Sequence, residues 1–298
     1  MRSRKGRAGT GNREPGTGAA SKEQQPASDP IRPPSAGTRP SPVPTRPRPE
    51  AAAWWSSHFD AHYLLEYEPI FDLAQDRREV ARLLDLLELP AGARVLDVPC
   101  GQGRHAHLLA EAGFDVDGFD LSEDLLERAR ARGVGRTLRY TRGDMRRLPA
   151  RWTGRFDAVA NLFTSFGFFL LPSDDERVVA EWARVLKPGG LLVWHGGNRD
   201  GVMRRFLARD WWLTANGTMV GHERSFDALS GVLTVRSTWR GTRAAGEREH
   251  RIRLYTATQL ARILAAHGLI VEAAYDGWTT RPLSRRSGEM LLVARREP

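Results

Sequence analysis

The chain has 298 residues, with 45 Lys and Arg against 36 Asp and Glu, which gives a formal net charge of +9. Its single cysteine, Cys100, excludes an intramolecular disulfide and is typical of proteins in a reducing compartment. No stretch reaches the ~18 consecutive apolar residues that a membrane-spanning helix needs. We therefore expect a cytoplasmic protein with no membrane partner.

The first fifty residues differ in composition from the rest of the chain. They hold ten of the 18 prolines, ten basic residues, four acidic residues and no aromatic residue. Such a segment cannot bury enough apolar surface to offset the entropy of ordering, so residues 1–50 are predicted to be a disordered basic tail. Residues 51–298 are predicted to form one domain. Because this remainder is close to charge balance, it does not favour a nucleic-acid partner.

Helices are predicted before the first strand. From residue 51 apolar residues recur at helical spacing, Pro69 interrupts the pattern, and a second amphipathic helix covers 74–89. Five strands then alternate with helices of ten to fifteen residues, and they cover 94–98, 115–120, 138–144, 156–163 and 191–197. This alternation predicts a parallel α/β sheet.

The alternation of strands and helices changes after residue 198. Residues 201–212 are predicted to form a short helix, and two alternating runs on either side of 227–231 predict a hairpin. A third antiparallel strand is predicted over 247–255. Residues 199–255 would thus form an antiparallel flap inserted after strand 5. A helix over 256–268 and two strands over 269–278 and 289–297 complete the predicted domain.

The turn after the first strand is the strongest functional signal. Gly101 and Gly103 begin the first crossover helix, and Asp120 ends the second strand. In open α/β sheets ligands bind at the carboxyl ends of the strands, where glycine lets a ligand approach the backbone. A carboxylate at Asp120 can accept hydrogen bonds from both hydroxyls of a ribose. The pattern predicts a ligand that carries a nucleoside.

Two nucleoside cofactors fit this pattern. Gly101, Gly103 and Ala106 match the dinucleotide fingerprint G-x-G-x-x-A, which taken alone is a weak indication of NAD. Asp97, at the end of the first strand, would repel a pyrophosphate held at the helix N-terminus. The same carboxylate suits a ligand with a cationic amino-acid end, as in S-adenosylmethionine. Asp97 and Asp120 also have a structural interpretation, as turn or helix-capping residues.

Five segments in order resemble the motifs of class I S-adenosylmethionine-dependent methyltransferases. They read "VLDVPCGQGRH", "GFDLSEDLLERAR", "RGDMRRLP", "FDAVANLFTSFGFF" and "ARVLKPGGLLV". The resemblance covers residues from about 66 to the C-terminus and implies a Rossmann-like α/β fold. Its sheet would have seven mostly parallel strands with the last strand antiparallel.

The resemblance also implies which residues bind S-adenosylmethionine. Gly101 and Gly103 would pass under the methionyl part, Asp97 would hold the amino group, and Asp120 would bind the ribose. Asp144 would accept from the adenine amine. The full set implied to bind the cofactor is Asp97, Gly101, Gly103, Asp120, Leu121, Asp144, Met145, Asn161 and Leu162. Tyr67, on the leading helix, is predicted to cover the cofactor, with ordinary packing as the alternative interpretation.

Two residues are candidates for catalysis. His195 directly follows "LLVW" near the end of the fifth strand and would face the mouth of the cleft, where it could serve as a general base. Tyr255 follows the flap and could contact the substrate or the cofactor. Each also has a structural interpretation, as a hydrogen-bonded wall residue and as an aromatic residue packed on the sheet. The scattered histidines and the single cysteine offer no metal constellation.

The methyl acceptor is predicted to be a small molecule, accepting on nitrogen or oxygen. The fourth motif reads "NLFT" where many methylases of exocyclic base nitrogens have [DN]PPY, and the flap is rich in tryptophan, as apolar small-molecule sites often are. Alternative hypotheses are a nucleic-acid or protein methyltransferase docked by the basic tail, a non-catalytic protein that binds the cofactor, and an NAD-dependent enzyme.

Overall fold

The computed structural model describes residues 54–67, 71–169, 171–241 and 245–298. The tail predicted over 1–50 lies outside these residues. Within them, no helix is both long enough and apolar enough to cross a membrane. The helices are α1 Trp55–His58, α2 Ala61–Tyr67, α3 Leu73–Leu87, α4 Arg104–Glu111, α5 Glu123–Arg132, α6 Pro172–Val185, α7 Arg199–Arg204 and α8 Ala257–Ala266.

Eleven strands in the described part of the chain form two sheets. The first seven strand ranges are β1 Arg94–Asp97, β2 Asp115–Asp120, β3 Leu138–Arg142, β4 Phe156–Asn161, β5 Leu186–Gly197, β6 Arg209–Leu213 and β7 Met219–Asp227. The remaining strands are β8 Val232–Arg240, β9 Ala245–Arg253, β10 Leu269–Tyr275 and β11 Glu289–Arg296. The larger sheet has the order β10-β11-β5-β4-β1-β2-β3, and the smaller has the order β6-β7-β8-β9.

The larger sheet is the predicted Rossmann-like sheet. Strands β1 to β5 pair in parallel, and β11 runs antiparallel between β5 and β10. The last strand is therefore antiparallel, as predicted. Two clusters of buried apolar side chains cover the sheet: Trp152, Phe156 and Trp182 belong to one, and Leu83 and Leu109 belong to the other. Strands buried in this way need near-continuous apolar sequence, which β1 and β4 supply.

Helix α3 shows how the sequence determines the element before the sheet. Its Val80, Leu83 and Leu87 are buried on one stripe, as the helical spacing predicts. The Asp72 side chain caps the first turn by accepting from the Ala74 N–H, and Glu88 ends the helix in the left-handed region at φ 47°. The helix is thereby fixed against the sheet beside the β1 turn.

The smaller sheet corrects one predicted element. The helix expected over 201–212 is wrong in extent, because α7 ends at Arg204 and Arg209–Leu213 forms β6. In β6 the exposure alternates, with Trp211 and Leu213 exposed and Trp212 half-buried, which is the period of a strand. The predicted hairpin is β7 and β8, and the predicted third strand is β9. The antiparallel insertion after β5 is confirmed.

Candidate active site

A cavity opens at the carboxyl ends of the strands of the larger sheet. It holds about 890 Å³, counting the part open to solvent. Of the residues that sequence analysis assigned to the cofactor, those that line this cavity are Gly101, Asp120, Leu121, Asp144, Met145 and Leu162. These residues follow four different strands, and parallel pairing brings their strand ends to one edge.

Asp120 ends β2 at this edge, and both of its carboxylate oxygens accept hydrogen bonds from backbone amides. The Gly101 N–H donates to Oδ2 at 2.8 Å and the Ser122 N–H donates to Oδ1 at 2.8 Å. Burial raises the pKa of Asp120 to about 6, although these backbone hydrogen bonds oppose the shift. Because each carboxylate oxygen can accept more than one hydrogen bond, Asp120 retains acceptor capacity for a ribose.

The two glycines of the turn serve different purposes. Both have positive φ, +53° at Gly101 and +73° at Gly103. A Cβ at Gly101 would meet only Leu125, at 3.9 Å, so this position is open toward the cavity. A Cβ at Gly103 would lie 2.5 Å from the Tyr140 hydroxyl oxygen. Gly101 therefore leaves room for a ligand, whereas Gly103 is needed for the packing of the turn on β3.

Asp97 does not line the cavity but is buried beneath the turn, with only 1% of its surface exposed. Among the residues that the structure describes, none is a hydrogen-bond partner of its Oδ2. Burial raises the pKa of Asp97 to about 7, and the charge of Arg104 offsets only part of that rise. A buried carboxylate oxygen without a partner is costly, so a cationic group beside it would be stabilising. This atom fits the ammonium of an amino-acid end.

Asp144 lines the cavity, but its carboxylate is already occupied. Arg146 donates to it through Nε at 3.0 Å and Nη2 at 2.6 Å, and Arg146 Nη1 donates to Asp174 at 3.1 Å. Although burial opposes it, the hydrogen bonds from Arg146 lower the pKa of Asp144. The Arg146 guanidinium also lies 4.4 Å from the Phe169 ring centroid. An adenine amine would have to share this carboxylate with Arg146.

Asn161 is a structural neighbour of the cavity and not one of its lining residues. It is fully buried at the end of β4, and its Nδ2 donates to the Val98 carbonyl at 2.7 Å. The bond ties the end of β4 to the turn that follows β1. Asn161 Oδ1 has no partner within the described residues.

A second cavity lies between the larger sheet, the N-terminal helices and the flap. Tyr67 and His195 line it, so the structure does not bring them into the cofactor cavity. The two cavities share five lining residues: Phe59, Tyr63, Phe163, Ser165 and Phe168. The two cavities therefore adjoin, and mainly aromatic side chains line the region where they meet.

Buried ionic groups on the flap side hold the second cavity together. Glu66 of α2 accepts from His222 of β7 at 2.7 Å and from Ser237 of β8 at 2.8 Å, and it pairs with Arg248 of β9. Although burial opposes ionisation, these hydrogen bonds and the charge of Arg248 lower the pKa of Glu66 to about 2. The network joins α2 to three strands of the flap.

His195 lines the second cavity, but its ring nitrogens are both engaged. The Phe163 N–H donates to Nδ1 at 3.3 Å, which leaves the proton on Nε2, and Nε2 donates to Glu289 at 3.2 Å. Phe163 and Thr164 have positive φ of 58° and 59°, so His195 holds a strained loop in place. The geometry favours this positioning role over the predicted general base.

The structure does not support Tyr255 as a catalytic group. Its ring is packed 5.4 Å from that of Phe166 in the core, and its hydroxyl donates to the buried Asp175 at 2.7 Å. Tyr255 lines neither of the two cavities. Of its two sequence interpretations, the packed aromatic is the one that agrees with these contacts.

Sequence analysis missed several residues of these cavities. Arg104 lines the cofactor cavity, and Glu66 and His250 line the second one. Arg104 directly follows Gly103 in the turn motif, so the sequence alone could have indicated that it lies at the cofactor cavity. Glu66 pairs with residues at least 156 positions away in the sequence, so no local pattern could have indicated its partners.

Comparison with known proteins identifies the family. Residues 95–190 match the model of the family described as "Methyltransferase domain". The chain is 30% identical over 236 residues to dTDP-3-amino-3,4,6-trideoxy-alpha-D-glucopyranose N,N-dimethyltransferase of Streptomyces venezuelae, covering 74% of this chain and 97% of that protein. The chain belongs to the S-adenosylmethionine-dependent methyltransferases. The fingerprint that also fitted NAD is thus a methyltransferase motif.

Other methyltransferases are similar to this one in sequence or in fold. It is 29% identical to dTDP-3-amino-3,6-dideoxy-alpha-D-glucopyranose N,N-dimethyltransferase of Streptomyces fradiae, over 75% of this chain and 91% of that protein. S-adenosylmethionine-bound CalS10, an amino pentose methyltransferase from Micromonospora echinaspora, superposes with a TM-score of 0.56 at 26% identity, covering 74% of this chain and 91% of that chain. The protein is an enzyme, and its cofactor is S-adenosylmethionine.

The cofactor cavity suits this ligand chemically. Gly101 leaves room for the ligand to approach the main chain, and Asp120 can accept hydrogen bonds from a ribose. Asp97 Oδ2, which has no partner among the described residues, fits an ammonium. These three groups lie on the β1 turn and at the end of the neighbouring β2.

Proposed function

We propose that this enzyme methylates an amine nitrogen of a small molecule, and that the acceptor is an amino sugar. Two relatives whose length the chain covers almost fully are named for N,N-dimethylation of dTDP-linked amino sugars, and CalS10 is named an amino pentose methyltransferase. Nitrogen is therefore preferred to oxygen among the acceptors that the sequence allowed.

The observation that carries the proposal is that the two cavities adjoin and share lining residues. Phe59, Tyr63, Phe163, Ser165 and Phe168 face both. Methyl transfer from a sulfonium is an in-line displacement, so the acceptor must lie opposite the sulfur with the methyl group between them. Two cavities that meet along shared lining residues can place the acceptor and the cofactor next to each other, as such a transfer requires. Bound S-adenosylmethionine supplies the electrophilic methyl group.

The residues around the second cavity suit an amine acceptor. Burial lowers the pKa of His58 to about 3 and that of His250 to about 4, so both imidazoles are neutral near pH 7. Aromatic side chains such as Trp54 and Phe168 exclude water and favour the uncharged form of a buried amine. A neutral amine attacks with its own lone pair and needs no general base, which agrees with the engaged nitrogens of His195.

The assignment of individual residues is part of the proposal. Asp97, Gly101 and Asp120 would hold the methionyl and ribose parts, and Asp144 with Met145 the adenine. Gly103 and Asn161 would shape the turn, Leu121 and Leu162 would line the cavity, and Tyr67 would contact the acceptor side. His195 would position the loop that carries Phe163.

The domain limits and the location are proposed on the same basis. Residues 51–298 would form the methyltransferase domain, with 199–255 as its substrate flap, because the second cavity lies between this segment and the larger sheet. A cytoplasmic location agrees with the single cysteine and with soluble nucleotide-linked acceptors.

The test is methyl transfer from labelled S-adenosylmethionine to a panel of nucleotide-linked amino sugars. The matched control is each sugar's N-acetylated form, whose nitrogen lone pair is delocalised. Mass spectrometry of the product should find one or two methyl groups on nitrogen for the free amines and none for the acetylated forms. Transfer to a hydroxyl in both forms would contradict the proposal.

A further inference from the structure

Two histidine rings of the second cavity lack hydrogen bonds within the described part of the chain. His58 ends α1 and His250 lies in β9, and both line this cavity with their ring centroids 4.9 Å apart. No described residue forms a hydrogen bond with either ring, and Nδ1 of His250 is buried. Buried polar atoms in native proteins nearly always have partners, so the pair indicates a site for a polar group of a ligand.

The pair lies close to the residues that the two cavities share. The ring centroid of His58 is 5.2 Å from that of Phe59, which lines both cavities. Trp54 packs against both histidines, at 5.0 Å from His58 and 5.6 Å from His250. The Trp54 indole N–H donates at 3.2 Å to the carbonyl oxygen of Phe168, another shared residue. An acceptor whose reacting nitrogen lies where the cavities meet would therefore bring its neighbouring atoms within reach of the pair.

The pair suits an uncharged polar group. Burial lowers the pKa of both imidazoles, so near pH 7 each is neutral and offers one N–H donor and one accepting nitrogen. The charged groups that act on both rings, Glu66 and Arg248, are paired with each other. A hydroxyl both donates and accepts, so it can be satisfied by two neutral imidazoles. A buried phosphate or ammonium would need an opposite charge that this pair does not supply.

The burial of Nδ1 indicates which atom of His250 meets the ligand. Because Nδ1 is inaccessible, Nε2 is the nitrogen that the ring can present to the cavity. A buried N–H without a partner is rarer in proteins than an unpaired acceptor, which favours the tautomer with its proton on Nε2. Nε2 would then donate to a hydroxyl oxygen, and a ring nitrogen of His58 would accept from the same hydroxyl.

We propose that His58 and His250 bind the 4-hydroxyl of a 3-amino sugar, on the carbon next to the one that carries the reacting amine. This inference rests on the amino-sugar acceptor proposed above. In such a sugar the 2- and 4-hydroxyls flank the amine, and the nucleotide is attached at C1, beside C2. The second cavity holds about 2030 Å³, counting the part open to solvent, and the nucleotide would extend toward that open part. The 4-hydroxyl is farther from the nucleotide and is the one placed to reach the pair.

The experiment measures kcat/KM for two acceptors that differ in this hydroxyl alone. They are dTDP-3-amino-3,6-dideoxy-alpha-D-glucopyranose, which has the 4-hydroxyl, and dTDP-3-amino-3,4,6-trideoxy-alpha-D-glucopyranose, which lacks it. The wild type should favour the first by roughly ten- to hundredfold, because the second leaves the imidazoles unpaired. In His250→Phe, which keeps an aromatic ring, the preference should fall to about twofold or less, while the trideoxy sugar is still methylated. His250→Gln can still donate and should retain part of the preference.

A control and a second variant separate hydrogen bonding from packing. His62→Phe replaces an exposed histidine of α2 that lines neither cavity, and it should leave the preference unchanged. If His250→Phe does not fold, His58→Phe should show the same loss of preference.

The outcomes distinguish this inference from the proposed function. A wild-type kcat/KM no higher for the sugar with the 4-hydroxyl would overturn the inference and leave the proposed function intact. An unchanged preference in folded His250→Phe or His58→Phe would do the same. Transfer to neither sugar would contradict the proposed function, and the inference with it.

Discussion

The two cavities are built in different ways. The cofactor cavity lies at the strand ends of one sheet, and three of the residues proposed to bind the cofactor, Asp97, Gly101 and Asp120, lie within 24 consecutive positions of the sequence. The second cavity is assembled from α2, the flap and β5, and ionic pairs such as Glu66 with Arg248 hold it together across 182 positions. A cofactor that all members of a family use can be bound by one local motif. An acceptor that differs among members is bound by elements distant in sequence, such as the flap, whose residues can change without disturbing the cofactor motif.

Loss of Asp120 should have the largest effect and should be confined to the cofactor side. Asp120→Ala removes the acceptor of the Gly101 and Ser122 amides together with the group proposed for the ribose. We expect the affinity for S-adenosylmethionine, measured by calorimetry, to fall roughly a hundredfold or more. Glu127→Ala, on the exposed face of α5, the helix that follows β2, is the control and should bind as the wild type does.

Glu66→Gln should impair the acceptor side of the enzyme and leave the binding of the cofactor unchanged. Removing one partner of a buried ion pair leaves Arg248 partly unpaired and should lower the free energy of unfolding by about 2–3 kcal/mol. The KM for the acceptor should rise. The affinity for S-adenosylmethionine should stay within about twofold of the wild-type value, because substitutions that do not touch a site usually change free energies by no more than that. Glu247→Gln, on the exposed side of β9, is the control. A large loss of cofactor affinity would show that the cavities are not separately built.

The same variant makes a prediction about pH. The pKa of Glu66 is lowered in the folded protein to about 2, below its ordinary value of 4.5. Its ionisation therefore stabilises the fold above pH 4.5, and this contribution is lost as the pH falls from 4.5 toward 2. Denaturation measured across this window should show less loss of stability for Glu66→Gln than for the wild type.

Cofactor affinity should depend on pH through Asp97. Burial raises its pKa to about 7, so below that pH the carboxylate is increasingly protonated and cannot pair with an ammonium. We expect affinity to rise by up to about tenfold between pH 6 and about 7.5, below the range where an α-amino group loses its proton. Asp97→Asn should bind more weakly with a flatter profile. An unchanged slope in this variant would assign the pH dependence to another group, of which Asp120 is the nearest candidate.

Tyr255→Phe should have the smallest effect on activity. The substitution removes the hydroxyl that donates to the buried Asp175 and should cost about 1–3 kcal/mol of stability. The kcat should stay within about twofold of the wild type at a temperature where both are folded, because the ring lines neither cavity. A loss of kcat of a hundredfold without unfolding would restore the catalytic hypothesis.

Sequence analysis was most successful where the functional residues lie within the regular alternation of strands and helices. Alternating strands and helices predicted the larger sheet, and the spacing from Gly101 to Asp120 predicted a nucleoside site. It was wrong over 201–212, because the run that includes Trp211 and Trp212 fits an amphipathic helix as well as a strand until its pairing with β7 is known. The state of His195 also could not be read from sequence, since the Phe163 amide that engages it belongs to another strand's loop.

The position of β11 has a consequence for synthesis. It lies between β5 and β10, and its pairing with β5 joins residues 92 to 104 positions apart in the chain. A nascent chain that has left the ribosome as far as β10 can pair β1 to β5, but it then presents β5 as an unpaired edge of almost entirely buried side chains. We expect this edge to be open to association with other chains until β11 is synthesised and pairs with it.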